Sequence, residues 1–383
     1  MNNKIVSFNK LIVFVFITLL SVGSFAASDI TKESFNVKSG GQLSIKSSSG
    51  SINIETWDKN EVFVEIKKEM QSEQRLKDLV ITVTNKGNNV DIVCKDKLKS
   101  NESIRYSVSV PKKFNVKAET GGGSIKLGEL ITGNIEVRTS GGSIKVGDVD
   151  GDLAADTSGG SISVGKVTGI TEVDTSGGSI KVEAGGKTVN ADTSGGSIKI
   201  GPSEGDVNAD TSGGSISIGH AKGNINADTS GGSIYVAGSD GNVVADTSGG
   251  NIKIENTAGG VKADTSGGGI QITGSRGSII ADTSGGDILA ELVSVNSNAE
   301  TPITLDSSNG TIKVYLPDNF KATVYAEINR GGRSNDTKIH SDFPLDITKQ
   351  NNEVIAKGDI NGGGNKVTLT TNNGEIYIKK LEK

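Results

Sequence analysis

The chain has 383 residues, a net charge of −5, 53 glycines, one cysteine and only 4% aromatic side chains. An acidic balance argues against nucleic acid, whose phosphates are bound through clustered Lys and Arg. A single cysteine, Cys94, excludes an internal disulfide, so stability must come from backbone pairing and packing.

The first predicted element is a secretory signal over residues 1–26. Lys4 and Lys10 form a basic start, Leu11 to Leu20 an apolar run, and Ser24-Phe25-Ala26 a small-x-small cleavage site. The apolar run is about a dozen residues, short of the ~20 that span a bilayer, so the protein is expected to be exported and not integral to the membrane. Without Lys4 and Lys10 the remainder carries 38 basic and 45 acidic side chains, a net charge of −7.

Residues 27–118 read as an irregular β cap. Val62 to Ile66, Val80 to Thr84, Val90 to Val93 and Tyr106 to Val110 are strand-like, and Ser72 to Leu79 is the one short helix. Cys94 ends a strand and reads as a small buried hydrophobe.

A repeat then takes over, from 119 to 302. Asp-Thr-Ser-Gly-Gly begins at Asp156, Asp174, Asp192, Asp210, Asp228, Asp246, Asp264 and Asp282, with a constant period of 18. Arg138 opens a variant, Glu119 a weaker copy, and Glu300 is expected to hold the same phase after the last copy. So regular a period marks a repeat architecture. Within the unit 206–223, Val207 and Ala209 alternate with polar residues, as do Ile216 and Ile218, and glycine-rich turns separate the two stretches. Period-two alternation predicts half-buried strands. Each repeat is therefore two strands and two turns.

Such units could form an antiparallel meander of hairpins or the coils of a solenoid. The solenoid is preferred, because equivalent residues then stack as ladders, about 4.8 Å apart. About eleven coils make a rod roughly 50 Å long at that spacing. Ile162, Ile180, Ile198, Ile216, Ile234, Ile252, Ile270 and Ile288 are the expected inner ladder, packed against the Val/Ala face of the other strand. Residues 303–383 form a second β cap, with strands expected over Thr311 to Leu316, Ala322 to Ile328, Val367 to Thr370 and Glu375 to Ile378. Caps of this kind close the strand edges that a solenoid exposes.

The eight aspartates form the candidate site. Stacked carboxylates repel, and something must offset this. The first expectation is an Asx-turn, with each Asp accepting backbone N–H bonds at its corner. The lesser alternative is a Ca²⁺ column. Nonapeptide Ca²⁺ repeats read Gly-Gly-x-Gly-x-Asp-x-aliphatic-x, and no unit here reproduces that pattern. Catalytic readings are weaker. Asp-Thr-Ser-Gly departs from the aspartic-protease loop and occurs eight times, and only His220 and His340 could serve as imidazole bases. No His/Cys/Glu cluster has metal-ligand spacing.

Taken in order, Phe35-Asn-Val-Lys-Ser-Gly-Gly-Gln-Leu-Ser-Ile, Ser49-Gly-Ser-Ile-Asn-Ile, Tyr106-Ser-Val-Ser-Val-Pro-Lys, the Ser-Gly-Gly-Ser-Ile units, Asn309-Gly-Thr-Ile-Lys-Val-Tyr-Leu-Pro and Thr371-Asn-Asn-Gly-Glu-Ile-Tyr-Ile resemble the bacterial putative-adhesin family of β-strand-repeat proteins (domain of unknown function 4097). The resemblance covers nearly the whole exported chain. It implies an all-β, right-handed parallel β-helix and supplies no catalytic residues.

The expectation is thus an exported, non-catalytic β-helix, periplasmic or secreted to the cell surface. Its outward rows, Ser161, Ser179, Ser197, Ser215 and Ser233 among them, would bind a glycan or other cell-envelope polymer through many weak contacts. A self-associating structural spacer and a polysaccharide-active enzyme are the alternatives.

Overall fold

A computed structural model describes residues 27–294, 300–329, 338–350 and 353–382; the signal segment lies outside them. The chain is almost entirely β, and its strands pair in parallel along two long ladders. In the first, Ile-x-Ile or Ile-x-Val strands stack in register: Ile162 pairs with Ile180, Ile180 with Ile198, and Ile198 with Ile216. In the second, Val-x-Ala-Asp-Thr strands do the same: Asp192 lies beside Asp210 and Asp210 beside Asp228. Neighbours in each ladder are one sequence period apart, so one repeat is one coil.

The alternation seen in the sequence sets which side chains are enclosed. From Ile162 to Ile288 the eight isoleucines are each no more than 2% exposed, and Val207, Ala209, Ile225 and Ala227 face them from the other ladder. Isoleucines from one side and mostly Val and Ala from the other enclose a thin core.

The coil has a third side, which the two-strand, two-turn reading misses. Ile131 pairs with Val149, Val149 with Val167, Gly185 with Ser203, and Ser203 with Ala221. Ser239 and Thr257 carry this narrow ribbon on. Most coils bury a single residue there, and the others add only a glycine, so no period of two exists to be read. The phase expected at Glu300 is also corrected. Asp282 pairs with Asp306 and Thr283 with Ser307, a longer step than the usual period. That coil has six extra residues, and Glu300 sits exposed outside the ladder.

Both ends are finished by the same device. At the start, Gly41–Ser47 inserts between Phe114–Thr120 and Asn89–Cys94, and Ser51–Trp57 between Ile125–Leu127 and Ser103–Pro111. Antiparallel strands Glu61–Met70 and Ala27–Asn36 then complete one ladder, and Ile81–Lys86 the other. At the far end, Asn365–Thr371 inserts between Ile303–Ser307 and Ala322–Asn329 before the antiparallel Glu353–Ile360 and Asp346–Gln350. The helix is Glu73–Asp78, with the Ser72 hydroxyl accepting from the Arg75 N–H at its start.

Candidate functional site

The corner Asp-Thr-Ser-Gly-Gly divides its work by residue. Threonine closes it. Thr211 Oγ1 donates to the Gly196 carbonyl of the preceding coil at 2.8 Å and accepts from Gly214 N at 3.3 Å. Thr157, Thr175, Thr193, Thr229, Thr247 and Thr265 repeat both bonds. These hydroxyls are buried at about 1% exposure, where an unpaired one would be costly. The second glycine permits the close approach between coils: a Cβ on Gly214 would lie 2.0 Å from the Gly196 oxygen.

The Asx-turn expected of the aspartates is therefore absent. Among the described residues, no hydrogen bond or ion pair involves the side chains of the eight repeat aspartates. They project from the outer face of the second ladder, and all but the half-buried Asp264 are exposed. Partial burial against the sheet, and then the neighbouring carboxylates, hold Asp174, Asp192, Asp228 and Asp282 above the usual aspartate range. Asp246 is raised in the same way, with Lys262 pulling against the shift.

Beside the aspartates runs a second row that includes Asn190, Asn208 and Asn226. Asn208 Nδ2 donates to Asn190 Oδ1 at 2.8 Å. The two rows bound a shallow groove of about 410 Å³ that begins at Arg138. On the early coils this face is neutralised, by Lys46 with Glu119, and by Lys117 and Arg138 with Glu136. From Asp156 onward the carboxylates stand without such partners.

The serine row has a structural use that its exposure hides. Ser179 N donates to Ser161 Oγ, Ser197 N to Ser179 Oγ, Ser215 N to Ser197 Oγ, and Ser233 N to Ser215 Oγ, all at 3.2 Å. Asparagine and aspartate do the same at another corner, where Asp206, Asn224 and Asn242 each accept from the next coil's backbone at 2.7–2.9 Å. Polar side chains at period 18 near glycine were the available signal for these braces. The outer face of the first ladder differs again: Lys126, Lys145, Lys181, Lys199 and Lys253 share one row. Lys181 pairs with Glu183, and Lys253 with Glu255.

The catalytic alternatives find little support. His220 Nε2 lies 3.1 Å from Asp240 Oδ1 on the exposed surface, and His340 stacks on Tyr377. Among the described residues no group of three His, Cys, Asp or Glu side chains is placed to hold a metal ion. Cys94 is buried beside Tyr106, whose hydroxyl, bonded to Ser47 Oγ at 2.9 Å, is pushed well above its ordinary range by burial. No helix of the described residues is long and apolar enough to cross a membrane.

No family model matches the chain, and no curated protein does. Several solved structures align with it. A putative cell adhesion protein from Clostridium sporogenes is 12% identical over 92% of this chain and all of its own, with a TM-score of 0.18. A putative adhesin from Parabacteroides distasonis is 18% identical over 66% of this chain and 97% of its own, with a TM-score of 0.34. A putative lipid binding protein from the same species is 14% identical over 75% of this chain and 96% of its own, with a TM-score of 0.29.

Proposed function

We propose that this is an exported, non-catalytic right-handed β-helix that offers its acidic face to a polymeric, hydroxyl-rich ligand of the cell envelope. Residues 27–118 and 303–383 act as caps and 119–302 as the binding rod. The supporting observation is the row of in-register aspartates with no side-chain partner among the described residues, flanked over three coils by asparagine amides. At a rise of ~4.8 Å per coil, each carboxylate can accept from a sugar hydroxyl while each amide donates and accepts. Single contacts of this kind are weak. A polymer lying along many coils gathers them through high effective concentration.

The test compares chain lengths. A glycan array should show retention of long neutral polysaccharides and poor retention of their dimers. Replacing Asp192, Asp210 and Asp228 together by Asn should weaken polymer binding at least tenfold. Equal binding of dimer and polymer would count against the reading. A second reading, a self-associating spacer, is favoured by the lysine row on the opposite face, which has the same pitch as the aspartates. Salt-sensitive association in analytical ultracentrifugation would distinguish it.

A further inference from the structure

The N-terminal end holds a cleft larger than the groove on the acidic face. Its volume is about 1050 Å³, against about 410 Å³ for the groove on the acidic face. It opens where the early strand Ser51–Trp57 has been slotted beside Ile125–Leu127. The insertion brings Trp57, the only tryptophan of the chain, to the same wall as Leu130, which is 51% exposed. Lys126 and Lys145 are neighbours on adjacent strands. Among the described residues neither has an ion-pair partner. Glu55 and Glu129 supply acceptors on the same lining. Gly128 and Gly147 also line it, and a Cβ on Gly147 would lie 2.2 Å from the Gly128 oxygen, so the pair permits the close approach of these two coils.

Such a mixture fits a particular chemistry. A sugar ring has an apolar C–H face and a rim of hydroxyls that donate and accept. Leu130 and the part of the Trp57 ring that is not covered by the Lys59 ammonium, 4.5 Å from its centroid, offer apolar surface for the first, and the ammonium and carboxylate groups pair with the second. The lining carries both signs of charge, which suits an uncharged ring better than a polyanion. Its volume slightly exceeds the range of about 300–1,000 Å³ common for small-ligand sites, so it has room for a short oligosaccharide. We infer that this cleft is a carbohydrate-binding site for a neutral oligosaccharide or chain end, separate from the aspartate face. The inference extends the glycan-binding reading above but does not use the ladder.

The lone tryptophan makes the test direct. The purified exported protein is titrated with cellohexaose, maltohexaose and the hexamer of N-acetylglucosamine while Trp57 emission is followed. At least one should give a saturable change at one site per chain. Leu130→Asp and Lys126→Ala alter exposed side chains. Each should weaken that binding at least tenfold at unchanged melting temperature. The triple Asp192/Asp210/Asp228→Asn variant should leave it intact even if polymer binding is lost, which separates failure of this site from failure of the ladder. The inference is overturned if none of the three sugars gives a saturable change, if Lys126→Ala and Leu130→Asp bind as the parent does, or if the triple variant abolishes the signal.

Discussion

Thr211 and Gly214 show why this repeat tolerates so little variation at its corner. The buried threonine hydroxyl satisfies a carbonyl from one coil and an N–H from its own, both half-buried. Valine keeps the shape and removes both bonds, leaving two half-buried backbone groups with one partner fewer. Thr211→Val should therefore destabilise by about 1–3 kcal/mol, read as a lower denaturant midpoint at unchanged slope. Gly214→Ala should be the harsher change, because its Cβ meets the Gly196 oxygen at 2.0 Å and backbone must move to admit it. The aspartate between these coils bonds to neither. Asp210→Asn should leave the corner intact, and a midpoint lowered as far as that of Thr211→Val would contradict this division of labour.

At the scale of the coil, the register predicts which deletions are tolerated. Strands one period apart pair residue for residue, and each coil touches chiefly its two neighbours. Removing residues 194–211 joins Thr193 to Ser212 and restores every row. Stability in such arrays is close to a sum over units and interfaces. This deletion should give a folded protein with the same circular dichroism and a modestly reduced melting temperature. Removing residues 194–202 instead brings isoleucine strands under aspartate strands, and should give no cooperative melting. The end coils are different, since Gly41–Trp57 and Asn365–Lys380 are held between strands distant in sequence. Their removal should expose strand edges and provoke aggregation.

Across the whole molecule, charge is sorted by face, and that gives stability a definite pH dependence. Unit charges ~4.8 Å apart repel by about 1 kcal/mol at the dielectric of water, and the ladder repeats this along its length. Asp174, Asp192, Asp228, Asp246 and Asp282 have their pKa raised in the folded state, by partial burial and then by the adjacent aspartates of the row. The folded protein binds these protons more tightly than the unfolded chain. Their stabilising contribution is present below the ordinary aspartate value of about 3.9 and is lost as pH rises through the higher folded values. Asp29 and Asp342, held low by Lys68 and Lys379, act in the opposite sense and lose their contribution below the ordinary value. Melting temperature should accordingly rise as pH falls from 7 toward about 4 and drop below it. The triple Asp192/Asp210/Asp228→Asn variant should melt higher than the parent at pH 7 and show a flatter rise. An unchanged profile would mean that the ladder's repulsion is relieved by something outside it.

The period of 18, the two alternating strands in each unit and the enclosed isoleucines were all legible in the sequence, because side chains that repeat along a chain can stack only if the backbone repeats with them. The short helix near Ser72 was legible too. The third side of the coil was not, since Val167, Ser203, Ala221 and Thr257 share a position but neither size nor polarity, and one inward residue per coil leaves no pattern. Nor could sequence assign the corner to Thr211 over Asp210: both can accept an N–H locally, and only the path of the previous coil places the Gly196 carbonyl within reach of the hydroxyl. The early strands meet the later coils in an order that runs against the chain, and it is that folding back which brings Trp57 beside Leu130. Local periodicity determined the rod; long-range pairing decided its ends and the cleft they create.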